Sequence, residues 1–527
     1  MFSVLALGVV AVGLLLCIAL KSHQKDAYDV QRLPGPPPSI ASWIWGHELL
    51  VFRHAATQMY TMWARSFGGL FRIKAALFHP DIIVATDHAA VRHIFANSDI
   101  YNMIGRGLVW AEGEDWHRQR KILGPVFSSE AVKEMTSVIY ESAERLETRL
   151  TNLLLDSTSN KEGTCLNITP YISACTLDII GAVGLSHTFA AQSTRPGSDA
   201  EQIFASWTQH VNNGLQRLAF LAPLVVRAVP VVTKAPLPLM RSQGVIKTIV
   251  TRIGRRIIER ERAALGVAGK DSLLDISSND SGRMDIISVL LRNRRLASAS
   301  EKLSDTQILD NVCCFLSSPM VGHETTAGSL AFTLWELARH PEIQNRLRAE
   351  ILAHGRDLSY EEIQKLEYLD AVVREGLRIH PASPQTERLI LQDDVIPLTT
   401  AIPGIGDSVR VKKGQVIHIP FIPMNTNPSV WGPSGAVFDP SRWLTVRDPA
   451  APALPHGWSG MLTFCDGPRS CLGLRLAVLE FKIILATIVR SIAFADTGVH
   501  VEEKISPTLQ PVVNGRGGYL PLRLKLI

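Results

Sequence analysis

Ten residues, Phe464-Cys465-Asp466-Gly467-Pro468-Arg469-Ser470-Cys471-Leu472-Gly473, hold the chain's densest set of chemically capable groups. A cysteine thiolate is a nucleophile and a soft metal ligand, and its surroundings decide which use it serves. Gly467 and Gly473 carry no Cβ and let the backbone approach a flat partner. Pro468 stiffens the turn, and Arg469 offers a permanent cation to a carboxylate. A lone buried cysteine is the ordinary alternative. Zinc sites use C-x(2–4)-C spacing with a second ligand pair downstream, whereas Cys465 and Cys471 stand six apart and no pair follows.

Other segments pair complementary groups at helical spacing. Val321-Gly322-His323-Glu324-Thr325-Thr326 sets an acid beside two alcohols. His323-Glu324 opens the metalloprotease pattern H-E-x-x-H, but the chain has Ala327 where the second histidine must stand. The acid–alcohol pair can relay protons; a threonine back-bonded within a helix is the plainer alternative. Glu375-Gly376-Leu377-Arg378 is E-x-x-R, an i, i+3 ion pair, and such pairs alone are mostly solvated surface contacts. Phe438-Asp439-Pro440-Ser441-Arg442-Trp443 adds a second arginine and a tryptophan. Trp116-His117-Arg118-Gln119-Arg120 is W-x-x-x-R, which puts indole and guanidinium on one helix face; its plain alternative is an amphipathic surface helix.

Together these segments resemble the cytochrome P-450 family of haem-thiolate monooxygenases. The loop matches F-x-x-G-x-R-x-C-x-G, five fixed positions in ten residues, and Ala477 and Glu480 continue it into the following helix. A covalent c-type haem would need C-x-x-C-H, which is absent. The resemblance implies haem b as cofactor, Cys471 as the axial ligand of its iron, and Phe464 and Arg469 as cofactor-binding residues. A thiolate ligand pushes electron density onto the iron and favours O–O cleavage. Trp116 and Arg120, with Arg388 ten residues past Arg378, are then expected at the haem propionates. The segment from Val321 resembles the family's A/G-G-x-D/E-T-T, which implies catalytic roles for Glu324, passing protons from solvent, and Thr325, donating a hydrogen bond to the oxygen being activated. Val321 replaces the usual small residue and would narrow the space over the haem, and Pro319 should kink the helix. Phe438–Trp443 resembles F-x-P-E-R-W with Ser441 in place of the glutamate. It implies that Arg442 joins Glu375 and Arg378 in a buried structural triad.

The elements that must position these groups read as mostly helical. Ser304-Asp305-Thr306-Gln307 is a capping box opening a long helix to about Arg339, with the distal motif inside it. Strand-like pieces lie at 69–74, 82–86, 390–397, 408–411 and 416–420. The expected fold class is mainly α with small β-sheets (α+β). Residues 265–285 read as a polar surface loop. Residues 218–240 are strongly apolar but broken by Pro223, Pro230, Pro236 and Pro238, which argues against a membrane span and for a surface-dipping element; the resemblance implies that this segment covers the substrate channel.

Phe2 to Leu20 are nineteen consecutive uncharged positions, followed by Lys21, His23 and Lys25. At ~1.5 Å per residue they span roughly 28 Å, enough for a bilayer core. Basic residues after the run distinguish an anchor from a cleaved signal peptide and leave the body in the cytoplasm. The expected organisation is an anchor at 1–20, a basic and proline-rich hinge at 21–38 containing Leu33-Pro34-Gly35-Pro36-Pro37-Pro38, and a catalytic domain at 39–527. The expected location is the endoplasmic reticulum membrane, single-pass.

Composition narrows the rest. Of 527 residues 46% are apolar and 20% charged, as in a large globular protein. A net charge of +5 argues against a nucleic-acid binder. The seven cysteines (Cys17, Cys165, Cys175, Cys313, Cys314, Cys465, Cys471) form no paired framework, which points to a reducing compartment. The sequon Asn167-Ile168-Thr169 is therefore expected to be unused. The resemblance implies insertion of one oxygen atom from O2 into an apolar terpenoid, steroid, aromatic or other secondary metabolite or xenobiotic. It also implies NADPH–cytochrome P-450 reductase as electron donor, with cytochrome b5 as a second, because the chain shows no flavin or dinucleotide fingerprint. Arg118, Lys121 and Arg475 would form a basic patch for such a partner. The substrate space would draw on Tyr101 to Trp110, the apolar cover, Val321, Ala382 to Thr386, and Thr508 to Val513. The general pattern resembles fungal members. Two alternatives are a haem-thiolate isomerase or dehydratase acting on a peroxide without a reductase, and a non-catalytic haem-binding membrane protein. The acid–alcohol pair argues against both.

Overall fold

A helix that is apolar around its whole circumference has to be buried. Thr169–Leu185 meets that condition: from Ile172 to Leu185 every residue but Ala182 is buried. The computed structural model describes the chain from Asp29 onward, except residues 78, 103–110, 157–162, 194–195, 217–219, 222–223, 225–226, 228–247, 261–262, 264–284, 297–301, 318–321, 357 and 446–453. The helices that position the site are α1 (His88–Ala96), α2 (Gly113–Leu123), α3 (Thr136–Asp156), α4 (Thr169–Leu185), α5 (Asp199–Gly214), α6 (Asp305–Ser317), α7 (His323–Arg339), α8 (Pro341–His354), α9 (Glu367–Ile379) and α10 (Leu474–Val489). Around α4 pack α3 and α7, and α10 closes the group against both of them. On α3 the buried positions Ile139, Ala143, Leu146, Leu150 and Leu154 recur every three or four residues, and each fully buried leucine contributes about 2 kcal/mol.

The described fold is mainly helical with small sheets, as expected. Strands β1 (Leu70–Ile73), β2 (Ile82–Ala85), β3 (Tyr101–Asn102), β5 (Gln385–Ile390) and β8 (Val416–Pro420) form a five-stranded sheet in the order β1-β2-β8-β5-β3. Three smaller sheets join β6 (Asp394–Ile402) to β7 (Gly406–Val411), β10 (Glu502–Ile505) to β11 (Leu509–Val513) and β12 (Arg516–Gly517), and β4 (Thr164–Asn167) to β13 (Pro521–Leu526) and β9 (Ile492–Asp496). The strand expected at 390–397 is two strands. Backbone pairing stops at Ile390 and resumes at Asp394, where the chain changes sheets, and the Asp393 carboxylate accepts the Lys413 N–H. Asn167 uses its side-chain amide within its sheet, donating to Gly518 O and accepting from Leu520 N.

The capping box forms: Gln307 N–H donates to Ser304 Oγ at 3.1 Å and Ser304 N–H to Gln307 Oε1 at 3.0 Å. The single helix expected from there to Arg339 is instead two, because Gly322 adopts φ 91°, ψ −125°, a conformation open to glycine. The distal motif therefore begins α7 rather than lying inside a helix. Pro319 and Val321 fall outside the described residues. So do the expected anchor at 1–20, most of the apolar cover and nearly all of the 265–285 loop. Among the described residues no helix is long and apolar enough to cross a membrane. The later part of the expected hinge packs on β1, with Arg72 N–H donating to Pro34 O at 2.9 Å and Leu33 buried.

The triad forms and is dry. Arg378 donates from Nε and Nη2 to the two oxygens of Glu375 at 2.9 and 2.7 Å, and both side chains are 0% exposed. Arg442 Nε, Trp443 Nε1 and Asp439 N–H complete the shell at 2.9, 2.9 and 2.8 Å. Arg378 spends its other N–H groups on the carbonyls of Asn425, Gly435 and Val437. Gly376 within E-x-x-R is required by packing, since a Cβ there would lie 2.0 Å from Thr333 Oγ1 on α7. Glu375→Ala strands the buried Arg378 guanidinium and takes the carboxylate from half-buried Arg442, and should remove ~3–5 kcal/mol of stability. Thermal unfolding of the purified variant checks this, and an unchanged midpoint refutes it.

A second buried ionic group ties α7, α9 and β10. His380, just past α9, places Nε2 2.9 Å from Glu336 Oε1 and Nδ1 3.5 Å from Glu503 Oε1, and stacks on Phe332 at 4.9 Å. Burial alone would push the imidazole down, but the Glu503 and Glu336 carboxylates outweigh it and push it up to about 9. The unfolded value is about 6.5. The protonated histidine therefore stabilises the fold fully below about pH 6.5 and loses that contribution as pH rises through about 9. Wild-type stability should fall by on the order of 2–3 kcal/mol between about pH 7 and about pH 10. Denaturant unfolding of His380→Gln should lack that slope.

Candidate active site

The cysteine loop is closed by its own backbone before any ligand is considered. Cys471 N–H donates to Phe464 O at 2.8 Å, and Cys465 N–H to Leu462 O at 2.8 Å with φ 58° at Cys465. Asp466 accepts the Gly467 N–H at 2.8 Å and faces His456 at 3.2 Å. Gly467 has φ 63°, and a Cβ there would lie 2.7 Å from the Phe95 carbonyl at the end of α1. Its need for glycine thus comes from protein packing, not only from an approaching cofactor. Gly473 caps α10, and a Cβ on it would make only an ordinary 3.8 Å contact with Phe127. Phe464 is buried and lies edge-on to Trp458.

Cys471 is accessible, yet surrounding protein raises its thiol pKa by desolvation. The two facts describe a thiol on the wall of an internal space rather than on the outer surface. The Gly473 N–H and the Arg120 guanidinium act in the opposite direction and favour the thiolate. Cys465 is half-buried and pushed up to about 11 by desolvation, whereas Cys471 is exposed, so of the two cysteines Cys471 is the more available ligand. No disulfide joins them.

Three arginines surround this loop. Arg120, on α2, donates to Ser470 O at 2.9 Å. Arg469 donates to Ala111 O at 2.6 Å and to Glu112 at 2.7 Å, and lies 4.3 Å from the centre of the Trp116 ring. W-x-x-x-R thus grips the cysteine loop from one helix face, through its main chain and its arginine. Arg388, on β5, is 3% exposed and donates to Thr386 Oγ1 at 2.5 Å and Glu387 O at 2.9 Å, with no carboxylate partner among the described residues. A buried guanidinium without a counter-ion is costly. A soft thiol ligand, a cation lacking an anion and a loop held open beside them suit a haem with its propionates. Arg388 was expected from its spacing after Arg378, and the pairing of β5 with β8 fixes its place in the sheet.

On α7 the residues of the distal motif occupy the first turn. Thr325 Oγ1 donates to Gly322 O at 3.2 Å, so the plain back-bond and the relay alcohol are the same group. Glu324 is 4% exposed with Oε1 unpartnered, so protons that it passes from solvent must reach it through neighbouring groups. His323, absent from the expected site, sits beside it. Glu480 on α10 faces the Thr326 hydroxyl and is pushed up to about 8 by burial, so it is a neutral acid at pH 7. The α7 side of the site is also approached by β11: Leu509 O lies 3.7 Å from where a Gly328 Cβ would stand, and Leu509 N–H donates to Ala382 O. Thr508 and Gln510 are buried and bonded to each other, leaving an apolar β11 face.

Other expected residues are placed differently. Tyr101 turns its hydroxyl to Asp394 at 2.6 Å, and residues 103–110 lie outside those described. In the expected basic patch Arg118 is paired with Asp115 and Arg475 reaches Phe127 O, while Lys121 is exposed.

The family model for cytochrome P-450 matches residues 34–517. The chain is similar to cytochrome P-450 monooxygenase 205 of Postia placenta, 29% identical, with 94% of this chain and 93% of the relative covered. It is also similar to the cytochrome P-450 monooxygenases claP and claU of Ampulloclitocybe clavipes, each 30% identical. Those alignments cover 89% and 88% of this chain, and 88% and 86% of the relatives. A thiol presented from a closed loop, the dry Glu375–Arg378–Arg442 triad behind it and matches spanning nearly the full length all lead to one assignment: the chain belongs to the cytochrome P-450 family of haem-thiolate monooxygenases.

Proposed function

We propose that this protein inserts one oxygen atom from O2 into an apolar organic substrate, of terpenoid, steroid, aromatic or related type, with NADPH-derived electrons from a membrane-bound flavoprotein reductase and cytochrome b5 as a second donor. The observation that carries the reading is Cys471, an accessible thiol inside the protein, flanked by the Gly473 N–H and Arg120 and facing no competing metal ligand set among the described residues. Cys471, Arg388, Arg120, Arg469 and Trp116 would hold haem, which would supply the oxygen activation when bound. The chain's own residues do the rest. Arg388 provides the positive charge that an acidic cofactor edge needs. Glu324 holds a proton source at the start of α7 and Thr325 presents its hydroxyl one residue on. The apolar β11 face and the Ala382 segment receive an apolar substrate and keep water scarce. An anchor at 1–20 and hinge at 21–38 would set the catalytic body at 39–527 on the cytosolic face of the endoplasmic reticulum, where lipid-dissolved substrates concentrate.

The reduced, carbon monoxide-bound difference spectrum should show the red-shifted thiolate Soret band, and Cys471→Ala should lose it. A band at the neutral-ligand position in folded wild-type protein would overturn the assignment. Thr325→Ala should keep the thiolate band while product formed per NADPH falls about tenfold or more. Retention of wild-type coupling would remove Thr325 from the relay.

A further inference from the structure

His323 is the first residue of α7 and belongs to no role described above. It is 5% exposed, and neither ring nitrogen has a hydrogen-bond partner. Its Nε2 stands 3.3 Å from Oε1 of Glu324, an atom that is also buried and unpartnered. Three buried polar atoms left unsatisfied in one helical turn are costly, and such groups collect where function requires them. The N-cap residue Gly322 contributes no side chain that could satisfy them.

The surroundings leave Glu324 as the one charged partner. Phe204 of α5 meets the His323 ring edge-on at 6.5 Å. Further along α5, His210 lies against Trp207. On α7 itself Glu336 is committed to His380. From α10, Glu480 faces Thr326. Among the described residues His323 makes no other ion pair. Glu324 is buried, so a carboxyl that gives up a proton there needs a neighbour to restore it. An imidazole at 3.3 Å with a second, free nitrogen is built for that exchange.

We propose that His323 is a relay residue that recharges Glu324 with protons from the α5 side of the site, a proposal that rests on the monooxygenase reading above. A hydronium ion arriving along the water gives its proton to Nδ1, forming the imidazolium and leaving a neutral water. The Nε2–H proton passes to Oε1 of Glu324, leaving a neutral ring and a neutral carboxyl. Exchange with water then removes the Nδ1 proton and returns one to Nε2, which restores the starting tautomer with no net proton transfer. Each cycle moves one proton and no electrons. His323 acts through Glu324 and does not touch the substrate.

Two measurements on the full-length, haem-loaded protein test this. The first is deuterium exchange at the histidine C2 position, read by mass spectrometry across pH, with exposed His117 as internal reference. His323 should exchange, and its pH profile should move in Glu324→Gln because the substitution removes the carboxylate 3.3 Å from Nε2. A ring that stays protonated at C2 while His117 exchanges, or a profile that Glu324→Gln leaves in place, overturns the relay. The second compares His323→Gln and His323→Leu in turnover. Both should keep the thiolate carbon monoxide band, divert reducing equivalents to hydrogen peroxide about tenfold more than wild type, and lose the wild-type pH dependence of coupling. Wild-type coupling and pH profile in both variants, while Thr325→Ala leaks peroxide, would overturn the relay and leave the monooxygenase reading standing. A change confined to KM would make His323 a substrate contact and also overturn it. If Thr325→Ala does not leak either, the distal assignment falls with it.

Discussion

Glu375 accepts hydrogen bonds from two arginines, a tryptophan and the Asp439 main chain in a place water does not reach. In that dry setting neither the carboxylate nor the guanidinium groups can be left alone, so the geometry of α9 is held tightly. The consequences spread outward from it. The α9 backbone carbonyl of Leu377 accepts the Thr463 hydroxyl at 2.8 Å, one residue before the cysteine loop begins. Asn425 bridges Arg378 O to the Leu462 N–H. Gly376 lets α7 pack so closely that a methyl group would collide with Thr333. The loop bearing Cys471 and the helix bearing Glu324 are therefore both referred to one buried ion cluster, though neither belongs to it.

Polar satisfaction separates scaffold from site. The triad has its buried carboxylate and guanidinium groups answered by each other and by main-chain carbonyls. At Arg388, His323 and Glu324 the protein leaves buried polar groups incompletely answered. A folded chain tolerates such atoms where a cofactor, a proton or a substrate is to complete them. The cation beside the cysteine loop and the acid and imidazole at the start of α7 serve different steps, yet both carry this signature.

Much of this was legible in the chain. A thiol loop with five fixed positions, E-x-x-R, the later Arg442 and W-x-x-x-R are local patterns; Glu375, Arg378 and Arg442 come together as read, and Arg120 of W-x-x-x-R lies against the cysteine loop. The capping box at Ser304 formed because its hydrogen bonds span only three residues. The helix it begins was read too long: periodicity continues across Gly322, and a single left-handed glycine outweighs it. The strand at 390–397 was misread for a similar reason, since apolar content does not say where a chain changes sheets.

Short-range chemistry is what the sequence by itself determined: the ligand thiol, the helix-face ion pair, the caps and the apolar faces, all set by contacts within a few residues. Tertiary structure alone decided which groups lack partners. Arg388 becomes a cation without an anion only when β5 pairs with β8. Glu324 is cut off from solvent only when α7 packs into the helical core on α4. Burial and pairing depend on residues far apart in the chain, and desolvation acts on the assembled neighbourhood, which no local pattern records.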